Sequence, residues 1–158
     1  MERQETELEY VGFWLRVWAS LIDSVFVLLI TVPPMMAVYG ANYWQSGDQL
    51  VRGPAEFLFS YVLPAVLFVV LWRKLGATPG KMAIGASIVD ARTGGAPSVG
   101  QCVIRYIGYY VSLLGLFLGY FWVGIDARKQ GWHDKMAGTV VVRRRGGTTR
   151  PVQFDQAP

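Results

Sequence analysis

Three stretches of this chain, residues 14–32, 57–72 and 106–125, are long and apolar enough to enter a lipid bilayer. As a helix, residues 14–32 would be roughly 28 Å long, close to the hydrocarbon thickness of about 30 Å. The second stretch contains Pro64, which predicts a kink. Only 16% of all residues are charged, whereas soluble domains carry about a quarter. We therefore expect an all-α membrane protein with two clear transmembrane helices, formed by the first two stretches.

The third stretch, residues 106–125, is expected either to span the membrane or to re-enter it. The segments 73–92 and 128–150 on either side of it are both basic, and the positive-inside rule places both in the cytoplasm. A single crossing would separate them. Two shorter helices, broken near Gly115 and dipping into one leaflet, would keep them together. We prefer this re-entrant arrangement, and the plain crossing stays open.

Two short runs favour β-structure, and they lie outside the apolar stretches. Residues 83–89 and residues 139–142 are rich in β-branched side chains, and we expect them to form a short cytoplasmic strand pair. Residues 146–158 are polar and are predicted to be a disordered tail. Residues 1–9 are predicted to be a cytoplasmic N-terminal tail, which leaves residues 10–145 as one membrane domain.

Arg16 and Asp23 are ionisable residues within the first apolar stretch. Such side chains cost about 2.5–3.5 kcal/mol each at membrane depth, so they usually face protein or water. Seven residues is almost two helical turns, which places both on one face. Their Cα atoms would be about 10 Å apart along the axis, and arginine leans toward the N-terminus, away from Asp23. We expect Asp23 to bind water or a base on another helix, for which Arg105 is the natural candidate. These residues form either a structural polar clamp that holds helices together or a site for an ion or solute.

Asp126 directly follows the third stretch and precedes two bases, Arg128 and Lys129. This position favours an interfacial carboxylate paired with those bases, and the alternative is a second acid in an intramembrane polar pathway. The candidate polar intramembrane site therefore contains four residues: Arg16, Asp23, Arg105 and Asp126.

A secondary motif contains Lys81, His133 and Asp134. The segment 76–81 superficially resembles a phosphate-binding loop, but it is one residue short of the Walker spacing, and Met82 stands where Ser or Thr would bind magnesium. A turn that holds Lys81 near lipid headgroups is the simpler interpretation. His133 and Asp134 are interpreted as a structural pair, because one histidine without clustered cysteines or acids is a weak metal signal. We expect no metal, no cofactor and no catalytic residue.

The charge pattern indicates lipid rather than nucleic acid as the partner. The formal net charge is +4, and twelve of the fifteen Lys and Arg residues lie from Arg73 onward, mostly beside apolar segments. Basic flanks of this kind bind anionic lipid headgroups. Nucleic-acid binding is not expected, since no stacking motif accompanies the basic residues. Cys102 is the single cysteine of the sequence, so no intramolecular disulfide can form.

Four motifs, in a fixed order along the chain, carry a resemblance to a known family. They are Phe13-Trp14-Leu15-Arg16 with Leu21-Ile22-Asp23, Ala77-Thr78-Pro79-Gly80-Lys81 leading into Ile88-Val89-Asp90, Phe121-Trp122-Val123-Gly124-Ile125-Asp126, and Gly131-Trp132-His133-Asp134-Lys135-Met136-Ala137-Gly138-Thr139. Together they resemble the RDD family of bacterial integral membrane proteins, over about residues 10–145. The family takes its name from one arginine and two aspartates. Arg16 and Asp23 match the first two, and we take Asp126 as the third in preference to Asp134.

The resemblance implies a multi-pass protein of the bacterial inner (plasma) membrane whose molecular role is mostly undefined. Solute transport has been suggested for the family, and cation/proton antiport for some members. The first hypothesis is therefore transport of a small solute or monovalent cation, coupled to protons through Asp23. The alternative is a scaffold or assembly protein that docks a partner membrane protein through its polar intramembrane face. With few spans, the chain is expected to form a homo-oligomer or bind a partner, and we do not expect an enzyme.

Overall fold

The computed structural model describes residues 8–45, 51, 53–144 and 151–154. Most of its elements are helices, and three short strands complete the fold. In chain order the elements are β1 (Leu8–Tyr10), α1 (Phe13–Tyr39), a 3-10 helix (Ala41–Gln45), α2 (Pro54–Phe57), a π-helical turn (Leu58–Val62), α3 (Leu63–Leu75), α4 (Pro79–Ala83), β2 (Ala86–Asp90), α5 (Val99–Leu114), α6 (Leu118–Ile125), α7 (Trp132–Ala137) and β3 (Thr139–Arg144).

The two predicted transmembrane helices are present. α1 continues through Pro33 and Pro34 and ends at Tyr39. The second helix runs over Pro54–Leu75, combining α2, the π-helical turn and α3. Both helices are long and apolar enough to cross a membrane, which confirms the prediction.

The π-helical turn explains how the second helix accommodates Pro64. A proline in a helix cannot donate to the carbonyl four residues earlier, here that of Ser60, and its ring clashes with that carbonyl. In the turn just before the proline, the N–H of Leu63 donates to the carbonyl of Leu58, five residues back. This wider turn is a local adjustment of the kind found where a helix is interrupted.

The third apolar stretch is divided into α5 and α6. Ser98 and Gln101 form a capping box that starts α5. Leu116 and Phe117 take positive φ angles of 54° and 63°, and the two helices are bent by 102° at this break. The predicted break near Gly115 is therefore confirmed.

The three strands form one antiparallel sheet in the order β1-β3-β2. β2 pairs with β3 from Ala86 opposite Arg143 to Asp90 opposite Thr139. This confirms the predicted strand pair, while its placement in the cytoplasm stays a prediction. β1 was not predicted, because a strand of three residues with Glu9 at its centre is too short to show a period-two pattern.

Parts of both predicted tails lie beside the sheet. Glu9, assigned to the N-terminal tail, is the central residue of β1 and forms a bridge with Pro151. The N–H of Val152 donates to the carbonyl of Leu8 at 2.9 Å. The stretch 151–154 therefore pairs with β1, although we expected it in the disordered tail. The remaining residues of the two tails, 1–7, 146–150 and 155–158, lie outside the described residues.

The hydrophobic core lies where the sheet meets the ends of α3 and α5. Trp72 of α3, Ile88 of β2 and Cys102 of α5 are each 1% exposed and belong to one packed cluster. Ala86 of β2, Val141 of β3 and Val11, just before α1, complete that cluster. The apolar sheet face therefore fixes the positions of the helix ends that carry the polar residues.

The contact between α4 and α1 depends on Gly80. A Cβ on this residue would overlap the carbonyl oxygen of Ala19 and lie 2.9 Å from Cγ of Asp23. We expect Gly80→Ala to push α4 away from α1 and to lower the stability by about 1–3 kcal/mol, the usual cost of overpacking. The measurement is the midpoint of thermal unfolding of the purified protein in detergent. Gly124→Ala is the matched control, since a Cβ there meets nothing within 4 Å. Equal midpoints for the two variants would contradict the packing argument.

Candidate functional site

The ionisable residues of the candidate site form two clusters inside the protein. The Asp23 cluster consists of Asp23, Thr78, Gly80 and Lys81. The Asp134 cluster consists of Arg16, Arg105, His133 and Asp134. Each cluster joins segments that are far apart in the sequence.

In the Asp23 cluster, a carboxylate of α1 accepts hydrogen bonds from the start of α4. The hydroxyl of Thr78 donates to Asp23 Oδ2 at 2.5 Å, and the N–H of Gly80 donates to Asp23 Oδ1 at 2.7 Å. Lys81 Nζ lies 3.7 Å from Asp23 Oδ2 and 3.4 Å from the Thr78 hydroxyl. The first N–H groups of a helix have no partner within that helix. Asp23, on α1, supplies an acceptor for one of these N–H groups. It therefore caps α4 as an N-terminal capping residue does.

In the Asp134 cluster, one carboxylate of α7 binds two arginines. Arg16 Nη1 donates to Asp134 Oδ2 at 2.5 Å, and Arg105 Nη1 donates to Asp134 Oδ1. The N–H of Gly131, at the start of α7, also donates to Asp134 Oδ2 at 3.0 Å. Asp134 is fully buried. The carboxylate therefore holds α1, α5 and the start of α7 together.

Each arginine of this cluster has further contacts that fix it in place. Arg16 donates to the carbonyls of Val11 at 3.1 Å and of Lys129 at 2.6 Å. Arg105 donates from Nη1 to the Thr139 hydroxyl at 2.7 Å, at the start of β3. Its guanidinium also lies over two aromatic rings, 5.5 Å from the centre of Trp72 and 5.8 Å from that of Tyr109. Such cation–π contacts are strongest when the cation is desolvated, as it is here.

The electrostatics of α7 keep Asp134 ionised and His133 neutral. Burial by itself would raise the pKa of Asp134, but Arg105 and Arg16 hold it well below its usual range. Burial lowers the pKa of His133 to about 3. The Asp134 carboxylate opposes this shift, whereas the charges of Arg105, Arg16 and Lys81 add to it. The imidazole is stacked on Tyr109, with ring centres 4.3 Å apart. With two cations and one anion, the Asp134 cluster carries one net positive charge.

Asp126 lies apart from both clusters. Lys135 Nζ binds its Oδ1 at 2.5 Å, and the N–H groups of Arg128 and Gln130 donate to its Oδ2. Burial would raise the pKa of Asp126, but the Lys135 contact and the two N–H groups lower it. The favoured interpretation was a carboxylate paired with a base. The base is Lys135 of α7, where we expected Arg128 or Lys129.

The structure thus divides the predicted polar site. We expected Arg105 to be the partner of Asp23, and this prediction was wrong. Arg105 lies nearly two turns into α5, beside α7, where Asp134 binds it. The aspartate that binds Arg16 is Asp134. Lys81 was expected near lipid headgroups, but it is only 7% exposed.

Sequence reasoning missed two residues of the Asp23 cluster, Thr78 and Gly80, and Thr139, which accepts a hydrogen bond from Arg105. The segment that contains the first two was noted as a turn, and the signal that could have identified their role is the sequence Thr78-Pro79-Gly80. Thr before Pro is a typical helix start, with the threonine as the capping residue and the proline at the first helical position. Thr139 gave no signal beyond its place in a β-favouring run and at the end of the fourth family motif. Among the described residues, no group of three or more His, Cys, Asp and Glu side chains is placed to hold a metal ion.

Comparison with known proteins gives a family but no solved structure. The model of the RDD family matches residues 10–138. The chain is 27% identical over 149 residues to the uncharacterized protein YxaI of Bacillus subtilis, covering 83% of this chain and 95% of that protein. It is 26% identical over 155 residues to the uncharacterized membrane protein YteJ of the same organism, covering 90% and 88%. An uncharacterized protein of Rickettsia prowazekii is 36% identical over 76 residues, which are 48% of this chain and 42% of that protein. No solved structure matches.

Removal of the charge of Asp134 should destabilise the protein strongly. Asp134→Asn keeps the shape of the side chain but leaves Arg16 and Arg105 buried without a counter-charge. Breaking a buried ion pair in this way costs about 3–5 kcal/mol, which thermal unfolding in detergent will detect. Lys135→Met is the matched control on the same helix. Its side chain is 45% exposed, and exposed ion pairs contribute only about 0–1 kcal/mol. A small effect of Asp134→Asn, similar to that of Lys135→Met, would disprove the central role of this carboxylate.

The stability of the protein should decrease with acid because His133 is buried in its neutral form. The unfolded chain takes up a proton on this residue near pH 6.5, whereas the folded protein does so only near pH 3. The contribution is therefore complete above pH 6.5 and is lost as the pH falls toward 3, with a limiting slope of about 1.4 kcal/mol per pH unit. Unfolding midpoints between pH 7 and 5 should decrease more steeply for the native protein than for His133→Gln. Parallel pH profiles would show that His133 is protonated in the folded state.

Proposed function

We propose that this chain, which belongs to the RDD family of membrane proteins, is a non-enzymatic assembly protein that docks another integral membrane protein. The observation that carries this proposal is the inward orientation of the polar groups. The side chains of Arg16, Asp23, Lys81, Arg105 and Asp134 are 12%, 11%, 9%, 1% and 0% exposed. These groups bind one another within the chain and stabilise its fold, so they are not accessible to a partner. A partner protein would therefore bind the exposed outer faces of the spans.

The proposed docking surface is the outer face of α1, defined as Ser20, Leu21, Ser24, Val25 and Leu28. All five residues are exposed, and their spacing places them on one side of the helix. Ser20 and Ser24 are small residues four positions apart, an arrangement that lets a second helix approach closely in a membrane. The Ser24 hydroxyl already donates to the Ser20 carbonyl at 2.8 Å, so it can be covered without loss of a hydrogen bond.

The partner that fits this surface is a transmembrane helix with small residues of its own. A polar intramembrane face was our original docking hypothesis, and the buried clusters argue against it. A helix packed on Ser20 and Ser24 would gain van der Waals contacts along Leu21 and Leu28, which is the main source of helix association in lipid. The partner is thus recognised by shape and by close backbone approach.

Filling the outer face of α1 should remove the partner. A tagged full-length chain with Ser20→Leu and Ser24→Leu should lose a membrane protein that the native chain retains during purification. The same partner should cross-link to the native chain through a cysteine placed at Leu28. Ala37→Leu is the matched control, since it adds similar bulk at an exposed position on another side of α1. Equal recovery of the partner with both variants would reject this docking surface.

The second candidate function is cation transport coupled to protons, and one contact favours it. Lys81 Nζ lies 3.7 Å from Asp23 Oδ2, the longest contact in the cluster. Its ammonium occupies a position that a monovalent cation could take between the oxygens of Asp23 and Thr78. Proteoliposomes that contain the purified protein would be tested with a panel of monovalent cations. Cation flux that Asp23→Asn abolishes would replace the docking proposal with transport.

A further inference from the structure

We infer that α5 and α6 form a wedge inserted into the leaflet of the bilayer that is nearest the sheet. The outer surface of this wedge contacts the acyl chains of that leaflet. The wedge is defined as Val99–Leu114 and Leu118–Ile125 with the turn between them. In this arrangement, the chain enters and leaves the membrane on the same side. The inference is independent of the partner proposed for α1.

Both ends of the wedge are bound to the same sheet. At its start, Gln101 Nε2 donates to Asp90 Oδ2 at 2.6 Å and to the Gly138 carbonyl at 3.2 Å. Shortly after its end, Arg128 Nη2 donates to the Ala91 carbonyl at 2.7 Å, and its Nε lies 3.3 Å from the Tyr10 hydroxyl. One three-stranded sheet cannot lie on both sides of a bilayer. The wedge therefore begins and ends on the sheet side.

The lengths of the two helices set the depth of the wedge. α5 has 16 residues and α6 has 8, which correspond to about 24 Å and 12 Å. A crossing needs about 30 Å of hydrocarbon thickness, so neither helix spans the core by itself. The bend of 102° turns α6 out of the direction of α5. Because both ends of the wedge lie on the sheet side, the tip can be no deeper than α6 is long, about 12 Å, which is less than half of the hydrocarbon thickness.

The outward faces of the wedge are continuous apolar stripes. On α6 the exposed side chains are Leu118, Phe121, Trp122 and Ile125, at 55%, 57%, 40% and 77% exposure. Their spacing of three and four residues is that of one helix face. On α5 the exposed large apolar side chains are Val99, Val103, Ile104, Ile107, Tyr110, Val111, Leu113 and Leu114. The protein already has two apolar spans beside these stripes, so lipid is the occupant that continues the same surface.

The tip is built for hydrocarbon and not for water. Leu116 and Phe117 have positive φ angles of 54° and 63°, a conformation that costs about 1–3 kcal/mol for such residues. In an aqueous turn, glycine or asparagine would avoid that cost. Leu116 is nevertheless 82% exposed and Phe117 52% exposed. Large apolar side chains at such a turn gain free energy only where hydrocarbon surrounds them.

The wedge also removes the conflict in the distribution of basic residues. With two full crossings and one insertion from the sheet side, the segments 73–92 and 128–150 lie on the same side of the membrane. Both basic segments then face one leaflet, as the positive-inside rule requires. The acyl chains of that leaflet are displaced by α5 and α6, whereas the opposite leaflet contacts only the two spans.

The side of each segment is tested by labelling single cysteines in a Cys102→Ala background. The positions are Arg92, Arg144 and Gln45, with the last in the connection between the two spans. A membrane-impermeant maleimide added to sealed vesicles of known orientation should label Arg92→Cys and Arg144→Cys from one side and Gln45→Cys from the other. Labelling of Arg144→Cys from the Gln45 side would overturn the wedge. Epitope tags at the two termini of the chain with its native Cys102 make the same comparison if the cysteine replacement unfolds the protein.

The depth of the tip is tested with a nitroxide on Leu116→Cys in the same vesicles. We expect frequent collisions with oxygen, few with a water-soluble nickel chelate, and a depth in the half of the bilayer nearest the sheet. A label that the chelate reaches from the Gln45 side would indicate a full crossing. A label that the chelate reaches freely from the sheet side would show that the tip is not inserted. Either result would overturn the inference.

Discussion

The binding of Asp134 to two arginines is the interaction on which the rest of the structure depends. Arg16 is 118 residues from Asp134 in the sequence, and Arg105 is 29 residues from it. One buried carboxylate therefore connects the first span, the wedge and the helix that leads into β3. In a low-dielectric interior each charge is costly without the others. The three segments are thus held in one arrangement relative to the sheet.

In the Asp23 cluster, too, a buried carboxylate joins segments that are distant in the sequence. Here it stabilises a helix, α4, that could not form by itself. α4 has only five residues, far below the length at which an isolated helix is stable. Asp23 accepts from its first turn, and Gly80 lets its backbone approach α1. The charge on α1 is used as a cap for a short helix. The ionisable residues that suggest a transport pathway in the sequence are thus explained by their structural role in joining segments of the chain. The surfaces available to other molecules are the apolar outer faces of the helices.

The outer surfaces differ between the two halves of the protein. α1 and the second helix offer long apolar faces suited to lipid or to another helix, whereas α5 and α6 form a short bent pair with both ends at the sheet. With the proposed wedge inserted, the protein would contact the two leaflets unequally. The docking surface on α1 and the wedge are separate features, since one depends on small residues along a span and the other on a strained apolar turn.

The sequence by itself determined the two spans, the break near Gly115 and the pairing of β2 with β3. These follow from local properties: apolar length, a glycine within a long apolar stretch, and β-branched runs. It also indicated Arg16 and Asp23 as functional or structural residues, because a charge in an apolar segment needs a partner. Only the tertiary structure decided which partner. Asp134 binds Arg105, and Lys81 lies beside Asp23, because the sheet fixes the helix ends and the distance between side chains then selects the pairs. β1 was equally inaccessible to sequence reasoning, since its three residues are a strand only through their hydrogen bonds to β3.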